Sequence, residues 1–105
     1  MTEIPTKTLS GKQRQFLRGL AHALSPVVQI GKDGITDALV GAVNQALTDH
    51  ELIKVRVLES SPVERRECEE ALSSKTQSHG VGTIGRMVML YRRHPEKPKI
   101  TLPKK

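Results

Sequence analysis

Two glycines three positions apart, in Gly31-Lys32-Asp33-Gly34, are the residues of this 105-residue chain whose types and spacing best suit a chemical task. Glycine reaches positive φ without a steric penalty and lets another backbone come close. The β-branched run Val27-Val28-Gln29-Ile30 precedes the pair, and Thr36 opens a helical pattern after it, so the loop joins a strand to a helix start. Amides at a helix start lack partners within the helix, and the helix dipole favours an anion beside them. Lys32 adds a mobile positive charge. One phosphate, or a short run of sugar-phosphate chain, suits such donors. The same pattern is also an ordinary turn, and taken alone it is a turn more often than a grip. Asp33 sets a negative charge in the same place, where it either turns outward or hydrogen-bonds the loop.

Other residues offer help or chemistry of their own. Lys12, Arg14 and Arg18 lie on one helical segment, Lys54 and Arg56 share a strand face, and Arg86 sits at a hairpin tip. Each reads equally as an ordinary solvated position, but clustered Lys and Arg near a glycine loop are the footprint of polyanion binding. Catalysis finds no constellation. His22, His50, His79 and His94 are scattered, and no Cys/His/acid cluster has metal-ligand spacing, so neither a metal nor a cofactor is expected. Cys68 is flanked by Glu67 and Glu69, which disfavour a thiolate. Glu69 and Glu70 are adjacent in a helix and point in different directions. No Gly-Lys-Ser/Thr follows a second glycine as in a P-loop, and the Gly-x-Gly-x-x-Gly dinucleotide pattern is absent. The chain is therefore not read as an enzyme.

The elements that position these residues follow from periodicity. Ser10 caps a helix to about Ala23, on which Phe16, Leu17, Leu20, Ala21 and Leu24 form one stripe. Ser25-Pro26 ends it. After the strand and the glycine loop, a helix capped by Thr36 runs to about Thr48, with Leu39, Val43, Ala46 and Leu47 inward. Leu52 to Leu58 alternates as a half-buried strand, with Ile53, Val55 and Val57 on the core face. Ser61-Pro62-Val63-Glu64 reads as the start of an acidic helix over 62–74. Strands over 80–84 and 87–91 meet at Gly85-Arg86, a two-residue turn with glycine first. The order α-β-α-β-α-β-β predicts one compact α/β domain with a four-stranded mixed sheet and helices packed on it. Residues 1–8 read as a flexible N-terminus, 9–92 as the domain, and 93–105 as a basic tail rich in proline and lysine.

Charge is segregated along the chain. Residues 1–34 carry five Lys/Arg against two Asp/Glu, residues 35–83 five against eight, and residues 84–105 seven against one, for a net charge of +6. Solubility does not require that segregation, whereas a surface meeting a polyanion does. One Phe, one Tyr and no Trp argue against bases stacked on a row of aromatics, so the grip should fall on phosphates, sugars and shape. The KH module uses a GxxG loop in this way to hold nucleotides by their backbone. No apolar run approaches the roughly 20 residues of a membrane span. That, the lack of a signal-peptide core and a single cysteine predict a cytoplasmic protein, expected to be a monomer.

An ordered set of blocks then carries a family resemblance. Leu9-Ser10-Gly11-Lys12-Gln13-Arg14, Leu20-Ala21-His22, Pro26 to Gly34, His50 to Arg56, Ile84-Gly85-Arg86 and Leu90-Tyr91-Arg92 together resemble the CRM domain family, over about Leu9 to Arg92. A single copy is similar to the bacterial single-domain YhbY-type members. The resemblance implies a fold similar to the C-terminal domain of translation initiation factor three. It implies RNA binding through Gly31, Lys32, Asp33 and Gly34 with neighbouring basic residues, among which Lys12, Arg14, Lys54 and Arg86 match the family pattern. It also implies ribosomal RNA in precursors of the large subunit as the partner, and a role in ribosome assembly. Two alternatives stay open: an RNA chaperone or splicing cofactor not dedicated to the ribosome, and a protein-interaction module docking a basic partner on the acidic helix.

Overall fold

Ser10 starts the first helix with a reciprocal cap. Its hydroxyl accepts from the Gln13 amide at 3.1 Å while the Gln13 side chain accepts from the Ser10 amide at 3.0 Å. Helix α1 spans Gly11–His22, strand β1 Val28–Ile30, helix α2 Asp37–His50 and strand β2 Leu52–Val57. Helix α3 follows over Arg65–Thr76, then strands β3 (His79–Ile84) and β4 (Met87–Tyr91). These assignments come from a computed structural model that describes residues 9–104. The expected N-terminal segment 1–8 lies outside the described residues.

The sheet order is β1-β2-β4-β3, with β1 parallel to β2 and the other neighbours antiparallel. The α/β domain with three helices on a four-stranded mixed sheet is the one expected. Each face of the sheet carries its own core. Ile53, Val55 and Val57 of β2 join Ile30, Val88 and Leu90 under α2 and α3, where Val43, Leu47, Cys68 and Leu72 meet them. On the other face Leu52, Val81, Met89 and Tyr91 pack against Leu9, Leu17 and Ala21 of the α1 region.

Two sequence expectations need correction. The stripe of α1 is only partly inward: Gln13, Leu17 and Ala21 are buried, while Phe16, Leu20 and Leu24 are exposed. The helix crosses the sheet with its i, i+4 ridge down, and the flanking apolar positions rise out of contact. Helix α3 begins at Arg65, not at Pro62. Ser61 does not cap it; its hydroxyl accepts from the Val63 amide at 3.1 Å in a local turn, and Glu64 holds the cap position without a side-chain bond. The serine turn satisfies the donor that a helix start would have used.

Residues 93–104 form no helix or strand but lie against the domain. The amides of His94, Lys99 and Ile100 donate to the Glu51 carboxylate at 2.7, 2.7 and 2.9 Å, and Gln13 Nε2 donates to the Pro103 carbonyl at 3.0 Å. Ile100 and Leu102 extend the core under α1. Glu51 caps α2 with φ 64° and ψ −49°, a conformation that L-residues rarely adopt. It persists because its N–H donates to Leu47, its carbonyl accepts from Arg92, and its carboxylate holds the tail.

Candidate nucleic-acid interface

The glycine loop is a hydrogen-bonded turn. The Gly34 amide donates to the Gly31 carbonyl at 3.0 Å, and Gly34 has φ 69°, which glycine adopts without strain. A side chain would also be crowded there, since a Cβ on Gly34 would sit 3.3 Å from Pro62 Cγ. Lys32 and Asp33 form the exposed corner, and neither bonds a described residue. Asp33 therefore faces outward. Part of the expected donor set is already in use. Gly34 N–H serves the turn, and the Thr36 hydroxyl takes the Leu39 amide at 3.1 Å. What the corner offers an anion is the Lys32 ammonium and the amides of Lys32 and Asp33, which donate to no described residue.

Sheet topology decides what stands beside this corner. Leaving β1, the chain enters the loop at the end of the sheet where β2 also finishes. The Leu58 amide donates to the Ile30 carbonyl at 2.9 Å, and the Val57 amide to the Arg86 carbonyl at 2.7 Å. The β3–β4 turn is at that end too. Gly85 has φ 57° and Arg86 does not have a positive φ, as a glycine-first turn requires. Arg56 pairs in register with Gln29 and Met87, on the sheet face beyond the reach of α1, and is exposed. Arg86 is exposed as well and forms an ion pair with Glu59 at 3.3 Å. Of the predicted helpers, Arg56 and Arg86 thus share the loop's end.

The other four do not. Arg14 Nη1 donates to the Gly80 carbonyl and Arg18 Nη1 to the Val81 carbonyl at 3.0 Å, which ties α1 to β3. Lys54 Nζ donates to the carbonyls of His22 at 3.2 Å and Leu24 at 2.8 Å, capping the end of α1 where a cation suits the dipole. Lys12 is exposed at the start of α1. Gly80 pairs with Leu90 and Ile84 with Met87, three residues along β4, so Arg14 anchors about 10 Å from the hairpin end.

Sequence reasoning missed Arg65 and Arg66. Placing the helix start at Pro62 buried both in an acidic helix, whereas they open α3 beside the hairpin, and Arg65 Nη1 donates to the Gly85 carbonyl. It also gave no role to Arg92, the last residue of the expected domain. Arg92 donates to the carbonyls of Thr76 at 2.8 Å and Asn44 at 3.0 Å and to the Thr48 hydroxyl at 2.9 Å, clamping α2 to the end of α3. The doublet Arg65-Arg66 was the signal available for the first; nothing local marks the second.

Burial shifts two titratable side chains outside the glycine loop. Burial, and then the Glu67 charge, push the Cys68 thiol up. Burial, and then Arg14, push His79 down; its ring stacks on Tyr91 at 6.3 Å. Among the described residues no His/Cys/Asp/Glu group could hold a metal ion, and no helix is long and apolar enough to cross a membrane.

Comparison with known proteins agrees with this architecture. The family model described as the CRS1/YhbY (CRM) domain matches residues 9–92. A protein of Haemophilus influenzae named RNA-binding protein is 44% identical over 98 residues, covering 93% of this chain and 98% of that one. YqeI of Bacillus subtilis, named a probable RNA-binding protein, is 41% identical over 95 residues, covering 90% and 99%. The solution structure of a hypothetical protein from Staphylococcus aureus superposes with a TM-score of 0.79 at 42% identity, covering 91% of this chain and all of that one. The chain belongs to the CRS1/YhbY (CRM) domain family.

Proposed function

We propose that this protein binds RNA by its sugar-phosphate backbone and does not transform it, with Gly31, Lys32, Asp33 and Gly34 as the grip. The observation that carries the reading is the Lys32-Asp33 corner: exposed, bonded to no described residue by its side chains, held on a hydrogen-bonded turn, and flanked on the same end of the sheet by Arg56 and Arg86. A preordered turn loses little entropy when it meets a phosphate. The names of the relatives from Haemophilus influenzae and Bacillus subtilis support RNA as the polyanion. Lys12 and the exposed tail lysines Lys97 and Lys104 add long-range attraction. The resemblance to single-copy bacterial CRM proteins extends the proposal to ribosomal RNA in precursors of the large subunit, with assembly of that subunit as the role and the cytoplasm as the place.

Two measurements test it. Lys32→Ala should weaken binding to a single-stranded RNA and flatten the salt dependence by roughly 0.7 in log–log slope, the value of one phosphate contact. Unchanged affinity and slope remove the loop from the site. Sedimentation of cell extract should place the protein with free or precursor large subunits; migration only with the soluble top fraction counts against the ribosomal part.

A further inference from the structure

An open cleft of about 860 Å³ lies between the start of α3 and the β3–β4 turn. Leu58, Pro62 and Val63 line it. The same three residues back the glycine loop, each within 4 Å of where a Cβ on Gly31 or Gly34 would stand. The partition between loop and cleft is therefore one residue thick. Against the two carboxylates of Glu59 and Glu64, three guanidinium groups also line the cleft, those of Arg65, Arg66 and Arg86. Their states differ. Arg65 is committed to the Gly85 carbonyl, and Arg86 faces Glu59 across 3.3 Å with both side chains exposed, at 57% and 84%. Arg66 is exposed and bonds no described residue.

We propose that the cleft takes the phosphates next along the RNA strand held at Gly31–Gly34, with Arg66 and Arg86 as the cations and Glu59 as an internal anion that the strand displaces from Arg86. This rests on the loop's being an RNA grip, since the loop delivers the strand. A guanidinium fork accepts a phosphate as readily as a carboxylate, and in the same bidentate geometry. An exposed carboxylate partner holds it only weakly, so a phosphodiester exchanges with Glu59 at little cost. The apolar floor leaves room for the ribose and base of the same nucleotide without reading their identity. Glu59 then acts as a weak brake, lowering affinity for polyanions by the small amount that an exposed pair is worth.

The test uses the full chain and a fluorescein-labelled 20-nucleotide oligouridylate, with anisotropy read over a salt series. Arg66→Glu should weaken binding by about tenfold, and Arg66→Ala should cut the slope by roughly 0.7. Glu59→Gln should tighten binding by about threefold, as expected for freeing an exposed ion pair. That gain should vanish in an Arg86→Ala background. Glu59, Arg66 and Arg86 are exposed, so thermal melts should match the wild type and exclude misfolding. Wild-type affinity in Arg66→Glu and Glu59→Gln, with Lys32→Ala weakened, overturns the cleft and leaves the loop standing. A Glu59→Gln gain that persists without Arg86 overturns the displacement. Wild-type affinity in Lys32→Ala instead removes the loop reading, and the strand path with it.

Discussion

The cations that fasten α1 and β4 and those at the loop end have opposite fates, apart from Arg65, which donates to the Gly85 carbonyl, and Arg86, which pairs with Glu59. Arg14, Arg18 and Lys54 donate to main-chain carbonyls, and so does Arg92 at the end of β4. Lys32, Arg56 and Arg66 donate to no described residue. A cation spent on carbonyls joins elements and contributes stability, because its removal breaks charge-assisted bonds between them. A guanidinium without acceptors adds little to the fold and is available to a phosphate. Net charge describes the field around the molecule. Which cations serve as fasteners and which as contacts depends on the acceptors beside them. Variants in the first group should therefore move stability and leave the salt slope alone, while variants in the second should do the reverse.

The widest separation is expected at Arg92. Arg92→Ala should cost about 3 kcal/mol, since it removes the fork that ties the half-buried Thr76 carbonyl at the end of α3 to the Asn44 carbonyl and the Thr48 hydroxyl of α2. Guanidinium chloride unfolding measures it. Arg92→Lys should recover little, because one ammonium cannot span both helices as the planar fork does. The folded fraction of either variant should keep the wild-type RNA slope. A reduced slope would move Arg92 into the contact group.

Glu51 ranks next and gives the comparison a pH axis. Burial raises its carboxyl, but the His94, Ile100 and Lys99 amides and the His94 charge outweigh that and leave its pKa below the usual carboxylate range. A carboxylate whose folded pKa is depressed contributes stability above its unfolded pKa and loses it as pH falls through the folded value. The anchored tail should thus loosen in acid, below about pH 4.5, near the ordinary carboxylate pKa. Glu51→Gln should cost about 2 kcal/mol at neutral pH, where charged hydrogen bonds become neutral ones. It should also flatten the fall in stability that begins as pH drops below the ordinary carboxylate pKa. An unflattened profile would assign the acid sensitivity to another group.

Legibility in the sequence tracks how local each cause is. The capping box at Ser10 and Gln13, the alternation from Leu52 to Val57 and the turn at Gly85 act within a few residues, and their elements formed as expected. The glycine loop was legible as a turn for the same reason. The covered second sheet face was not, because burial of Leu52 depends on α1 crossing over it, and Lys54 meets its acceptor Leu24 from 30 residues away. Ser61 was misread because a serine turn and a helix cap use the same hydroxyl and differ only in the path that follows. The role of Glu51 had no local signal, because its partners lie 43 to 49 positions along the chain. Arg65 and Arg66 came to the loop's end through the same displaced helix start.

The smallest effects sharpen the comparison most, because Lys54 and Arg56 are neighbours on one strand face. Lys54→Ala should cost about 1 kcal/mol, the loss of a cation bonded to the carbonyls of His22 and Leu24 at the end of α1. Its salt slope should match the wild type. Arg56 has no such acceptor, so Arg56→Ala should change stability by less than about 0.5 kcal/mol. Its slope should fall by up to roughly 0.7 if a phosphate reaches it. Denaturant melts and salt titrations on the pair give four numbers. A stability loss at Arg56 with no change in slope would show that proximity to the loop does not select a cation for RNA. Two residues apart, with the same charge, the pair isolates the effect of acceptors from that of position along the chain.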